Sequence, residues 1–426
     1  MAKDFSLKRR EFLKATGAGA AGAAIASLTP GKAFGKTAAQ WPEINTKGIS
    51  NLKVVCCHDP LMIPRSYGTS FTAQNNATNI PQIKNNLDKM AMELAGVSTA
   101  AAAWAKIFTL PSGKALNTVK AAIKVNTING ANEPRIGVVA KVCEELIKLG
   151  LSASNIYVYD ATTGTDDYKS YASGQSNAQL PIPLSGVVDW DCQNSSAAVS
   201  PLITDLGITA PNAHCPKMIA NGNIDILVNC AVNKSHDMDK GGITGAMKNH
   251  FGTFDPHGLR SPSDSDGHGN FAYIVAINKH RLIMGGTPAR QQLCITDSLW
   301  GSETCCGDVI GKTNPGRLIM GTFGPAVDYL VAKANWTDWV GPTNNVLRWE
   351  TNDVTESFLT SFGYTTAQTN ALAFTNISPA TPVISQGNSK ELNTRILRFQ
   401  IAGGPGRIPN LWPSIDLFSV YNRCGC

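Results

Sequence analysis

Five short apolar runs, each closed by polar or turn-forming residues, punctuate this chain: Leu52 to Cys57, Val119 to Val125, Ile156 to Tyr159, Ile224 to Val232 and Leu293 to Thr296. They are compact and often β-branched, as strands covered on both faces are. Between the second and third runs, from Arg135 to Leu149, residues Ile136, Val139, Val142, Cys143, Leu146 and Ile147 recur mainly at three- and four-residue steps, which predicts an amphipathic helix. Gly150 follows as a stop signal. Strand, helix, glycine and strand in succession predict an α/β fold: a mostly parallel sheet flanked by helices.

The remaining chain is more polar. Ala161 to Gly222 is rich in Ser, Thr, Asn, Pro and Gly and reads as a long excursion from the sheet with little regular structure; Ser261 to Asn270 reads as a second polar loop. From about Trp336 onward the pattern predicts a helix at Asn352 to Phe362 and a strand at Thr394 to Ile401, in a C-terminal extension or small subdomain spanning 336–426. The α/β domain itself is expected over 50–335.

Chemistry collects where the apolar runs stop. The residues at or just beyond their ends are His58 and Asp59; Lys124 and Asn126; Asp160; Asn233, Lys234 and His236; and Asp297. In a parallel sheet these crowd one edge, the edge at which open α/β folds bind ligands. Helix capping and turn formation would account for Asn126, Asp160 and Asp297 without any ligand. They account poorly for Lys124 and Lys234, because a lysine at the end of a buried run must reach water, a carboxylate or an anionic ligand. Gly241-Gly242-Ile243-Thr244-Gly245, running into Ala246-Met247-Lys248-Asn249, has the make-up of a glycine loop feeding a helix start, suited equally to an anion and to an ordinary capped turn. Several lysines around one pocket would lower one another's pKa and leave one neutral near pH 7 as a base.

His236, His250, His257 and His268 fall within 33 residues, interleaved with carboxylates, so a transition metal at His236 and His250 is one expectation and exposed loop histidines are the other. Several classes lack their signatures. No GxSxG elbow or GxxxxGK[ST] loop occurs, no GxGxxG turn follows a strand, and in Cys56-Cys57-His58 the neighbouring side chains point to opposite faces.

Ser6-Leu7-Lys8-Arg9-Arg10-Glu11-Phe12-Leu13-Lys14, followed by a small-residue run to Leu28, resembles a twin-arginine export signal over residues 1–35, with cleavage after Gly35 or Ala39. The expected partner is then the twin-arginine export machinery, and the expected location the periplasm or the extracellular space. Its removal takes six basic and two acidic residues, and the formal charge falls from +6 to +2. That leaves no basic stripe for nucleic acid, and no later run of eighteen apolar residues predicts a membrane span. Of eleven cysteines, Cys143, Cys230 and Cys294 lie in apolar runs and read as core residues. Cys305-Cys306 and Cys424-Gly425-Cys426 stand in polar loops, where disulfides and metal ligation both fit.

Three blocks carry a family resemblance: Ala122-Ile123-Lys124-Val125-Asn126, Val138 to Asp160, and Val228 to Gly252 with its Asn-Lys-x-His, Gly-x-Thr and Lys-Asn succession. Together with Leu293 to Ser298 and Pro325-Ala326-Val327-Asp328 they resemble the uncharacterised family called domain of unknown function 362. The resemblance implies a metal- or redox-linked role. Gly324 replaces the first Asp of the family's late element, and no CxxCxxCxxxC cluster run is present.

Two functional expectations use this sheet edge. One is an exported enzyme in which Lys234, His236, Asp160 and Asp297 do the chemistry while Lys124, Asn126, Asn233, Thr244, Lys248 and Asn249 hold a small anionic ligand or cofactor. The other is a non-catalytic binding or scaffold protein using the same edge. A structural envelope role, stapled by the terminal cysteines, is a third.

Overall fold

The computed structural model of the chain describes residues 39–63, 70–127, 132–160, 165–172, 179–190, 196–198, 214–235, 243–254, 271–302, 315–334 and 355–377. The expected export signal, His236, the polar stretch at 261–270, Cys305, Cys306, Cys424, Cys426 and the expected strand at 394–401 lie outside these residues.

The strands are β1 (Val54–His58), β2 (Ala121–Lys124), β3 (Ile156–Asp160), β4 (Val187–Asp189), β5 (Ser196–Ala198), β6 (His214–Pro216), β7 (Ile226–Ser235), β8 (Ile243–Thr244), β9 (Gln291–Ser302), β10 (Arg317–Gly321) and β11 (Thr375–Ile377). The helices are α1 (Phe71–Ala77), α2 (Ile80–Ala95), α3 (Ala100–Ile107), α4 (Ile136–Lys148), α5 (Asp166–Ala172), α6 (Lys217–Ala220), α7 (Ala246–Asn249), α8 (Phe271–Lys279), α9 (Gly324–Ala334) and α10 (Thr366–Asn370). A nine-stranded sheet has the order β11-β1-β10-β9-β7-β2-β3-β4, with β8 paired to β7; β5 and β6 form a separate hairpin.

All five expected strands lie in this sheet, and the expected helix is α4, followed by Gly150 at φ 106°. The sheet is mostly parallel because β10 alone on the main path runs against both its neighbours. The chain therefore brings the C-terminal ends of β1, β9, β7, β2 and β3 to one edge, together with the start of β10 at Arg317.

The polar excursion is more regular than its composition suggests. It contains α5, and β4 pairs with β3 in the main sheet. Beyond residue 336, residues 355–361 are helical and β11 pairs with β1.

Two cores lie on opposite faces of the sheet. One packs Val55, Ile123, Val158, Val228 and Ile295 against α2, α3 and α4. The other packs Val54, Ala122, Leu227 and Ala231 against α7, α8 and α9. Local signals set the helix ends: Asn79 caps α2 by accepting from the Gln82 N–H at 3.2 Å, and Gly96, left-handed at φ 65°, closes it.

Candidate functional site

Strand β2 lies between β3 and β7, which places Lys124 opposite Tyr159 on one side and Asn229 on the other. The Lys124 ammonium pairs with Oδ1 of Asp160 at 2.7 Å, both side chains being almost fully buried. It also donates to the Val125 carbonyl and, at 3.1 Å, to Oδ1 of Asn249. Oδ2 of Asp160 accepts from the Thr127 N–H at 2.7 Å and the Thr127 hydroxyl at 3.1 Å. Lys124 and Asp160 thus form a neutralised pair with their hydrogen-bonding capacity directed inward.

Lys234 is placed differently. Strand β7 continues three residues past its apolar run, so Asn233 and Lys234 belong to the sheet instead of the following loop, and Lys234 stands in register with Thr244 and Ser302. Its ammonium donates to Oδ1 of Asn126 at 2.8 Å. Lys234 is 5% exposed, and burial lowers its pKa to about 8; Asp160 and Glu133 oppose that shift and Lys124 adds to it. Asn126, Asn233 and Thr244 are buried around this strand end.

Asp297 closes the start of α4. Its Oδ2 accepts from the Arg135 N–H at 2.6 Å and its Oδ1 from the Leu299 N–H at 2.9 Å. Burial raises its pKa, against the pull of the Arg135 guanidinium and these backbone donors. That guanidinium lies 5.2 Å from the Phe71 ring and 5.0 Å from the Trp300 ring, while donating to the Glu133 carbonyl and to Gln74. At the far strand end, Asp59 accepts from the Leu61 N–H, Gln82 and Asn86 at 2.9, 2.6 and 2.7 Å. His58 is driven down to a pKa of about 3 by burial and by Arg317.

The segment Lys248-Asn249-His250 divides its side chains. Lys248 lies over the Phe251 ring at 6.0 Å. Asn249 and His250 enter a polar network under α7: Asn249 donates to Asn229 at 2.8 Å, and Asn229 donates to the Ala246 carbonyl at 2.8 Å and to Gln291 at 3.1 Å. Nε2 of His250 meets Gln291, and Nδ1 meets the Thr253 hydroxyl at 3.0 Å, which also bonds Tyr159 at 2.7 Å. With both ring nitrogens engaged and burial lowering its pKa to about 4, His250 is neutral at physiological pH. Asp328 completes the support by accepting from the N–H groups of Ala246 and Met247 at 2.6 and 2.9 Å.

The tips therefore bring Lys124, Asp160, Asn126, Lys234 and Asn249 together, with Asn233, Thr244 and Lys248 close along the chain. Asp297 sits one strand further on, under Arg135. Among the described residues no group of three His, Cys, Asp or Glu side chains could hold a metal ion. The six described cysteines, Cys56, Cys57, Cys143, Cys215, Cys230 and Cys294, are buried, and burial pushes Cys57, Cys143, Cys230 and Cys294 up, which keeps them protonated.

Sequence reasoning passed over Asn229, Gln291, Arg135 and Thr127. A lone amide at Asn229, inside an otherwise apolar run, was the one visible sign of a buried polar network.

The family model described as "Domain of unknown function (DUF362)" matches residues 121–333. The chain belongs to this family. The matched segment runs from β2 to α9 and so includes Lys124, Asp160, Lys234, Lys248, His250, Asp297 and Asp328. The family's region thus supplies β2, β3, β7, β9 and β10 of that edge, whereas β1 and β11 fall outside it. No curated protein matches the chain. Among the described residues, no helix is long and apolar enough to cross a membrane.

Proposed function

We propose that this member of the DUF362 family is an exported enzyme that holds a small anionic ligand at the C-terminal edge of its sheet, with Lys234 as the group that binds the anion and exchanges a proton with it. The observation that carries this is the setting of Lys234: fixed in the sheet, bonded to a neutral amide and desolvated until its pKa is about 8. A lysine with this pKa is mostly charged at pH 7, so it attracts an oxyanion, yet it can give up its proton at small cost. Asn126 orients it, the Lys124–Asp160 pair supplies a rigid wall, and His250 positions α7 instead of facing the ligand. His236 follows one residue after β7 and is the second candidate for proton transfer or metal ligation.

Lys124, Asp160 and Asp297 all have partners inside the protein, which favours binding without chemistry as the second reading. Both readings share a first test. Mature protein, residues 36–426, is titrated calorimetrically with sulfate, acetate and succinate between pH 6.5 and 9.5, where these probes keep a constant charge. Affinity should fall as the pH rises through 8, and Lys234→Met should lose it. An anion response that ignores both pH and Lys234→Met would eliminate the site. The enzyme reading needs in addition that His236→Ala or Lys234→Arg change turnover of a bound substrate while leaving its affinity within a few-fold.

A further inference from the structure

Next to Lys234 the ladder between β7 and β9 is broken. Val232 pairs with Asp297 and Lys234 pairs with Ser302, so Ser298, Leu299, Trp300 and Gly301 on β9 stand opposite Asn233 alone. Bulges of this kind cluster beside functional sites because they turn side chains away from the regular alternation.

Here they carry two donors. The Ser298 hydroxyl and the Trp300 indole N–H are both buried without a hydrogen-bond partner, in residues with no measurable exposure. A buried polar group left unmade costs free energy comparable to a lost hydrogen bond, so two of them on one bulge call for a function or a ligand. The indole N–H can only donate, as can the neighbouring cations Arg317, opposite Ser298 in register, and Arg135, stacked on Trp300, while the adjacent Asp297 carboxylate is taken up by the Arg135 and Leu299 N–H groups. A donor set of this composition selects an acceptor that carries negative charge.

We infer that the β9 bulge is a second oxyanion subsite, built from Ser298 and Trp300, and that the ligand of the Lys234 site is a small molecule with two acidic groups, one held at each. This rests on the anion site proposed at Lys234 and specifies what occupies it. Lys234 and the bulge lie on neighbouring strands, which are spaced about 4.8 Å apart, and a four- or five-carbon dicarboxylate is the class of ligand that probes both.

The test compares acetate with succinate on mature protein by calorimetry and tryptophan emission. Wild type should bind succinate about tenfold more tightly than acetate, the gain expected from added hydrogen bonds to a charged group. Ser298→Ala and Trp300→Phe should each bring succinate down toward acetate and leave acetate unchanged. Trp300→Phe should also remove the succinate-dependent emission change, and Lys234→Met should weaken both ligands. Ser298→Ala removes a single hydroxyl and so guards against misfolding of the larger substitution. Succinate binding that is Lys234-dependent but indifferent to both bulge substitutions would overturn the second subsite and leave the first standing. No binding of either carboxylate, with or without Lys234, would overturn both.

Discussion

Gly252 lies so close to Asp160 that a β-carbon on it would overlap Oδ1 of that carboxylate, and the same carbon would overlap Cε of Lys124. The Lys124–Asp160 pair is therefore sealed by backbone, and glycine at 252 is required by space, since its backbone conformation is ordinary. Gly252→Ala should destabilise the protein by about 1–3 kcal/mol, the usual cost of overpacking. It should also weaken anion binding at the adjoining Lys234. Urea unfolding and calorimetry on the same preparation measure both.

Because Lys124 and Asp160 are buried together, losing one partner is worse than losing both. Lys124→Met should cost about 3–5 kcal/mol by leaving a carboxylate stranded. Adding Asp160→Asn should return part of that loss. A double-mutant cycle from chemical denaturation gives the coupling, and simple additivity would mean that the pair is not a unit.

At alkaline pH, Lys234 should act on stability and on binding in opposite directions. Its folded pKa of about 8 lies below the ordinary lysine value of 10.5, so between these values the unfolded chain holds a proton that the folded protein has released. Stability from this group rises with pH across that window. Anion affinity falls over the same window because the cation is lost. Lys234→Met should flatten both profiles.

At acid pH, His250 matters. Its folded pKa of about 4 lies below the ordinary histidine value of 6.5, so the unfolded chain binds the extra proton between them and stability declines as the pH drops from 6.5 to 4. His58, near 3, pulls in the same direction. His250→Gln should lessen the decline in thermal-denaturation midpoints over this range. An unchanged slope would place the acid sensitivity elsewhere.

Asp328 has the reverse sign. Burial raises its pKa to about 7 despite the Ala246 and Met247 N–H donors, so from about 4 to 7 the folded protein keeps a proton that the unfolded chain has released. Its contribution to stability therefore decreases as pH rises through that range. Asp328→Asn should remove this dependence. Asp328→Ala should cost about 1–2 kcal/mol through loss of the cap on α7. Differential scanning calorimetry at stepped pH separates the two effects.

What the sequence determined by itself was the framework. Runs such as Ile224 to Val232 and the periodic face of Arg135 to Leu149 declared strands and a helix because burial on both faces, or on one, leaves a local pattern of apolar residues. The crowding of Lys124, Asp160 and Lys234 followed from the order of strand and helix, which makes parallel pairing economical. The antiparallel β10 was not legible: its apolar core, Leu318 to Met320, is three residues long and opens on an arginine. The division of labour among the polar residues was also hidden, since Lys124 and Lys234 look alike in the chain. Only the tertiary structure decided it, by setting Asp160 within 2.7 Å of one and a neutral amide within 2.8 Å of the other. The same holds for Asn249 and His250, drawn inward by Asn229 and Gln291 from distant strands. Hydrophobic patterning is a property of neighbours in sequence, whereas the charge and proton affinity of a buried group are fixed by neighbours in space.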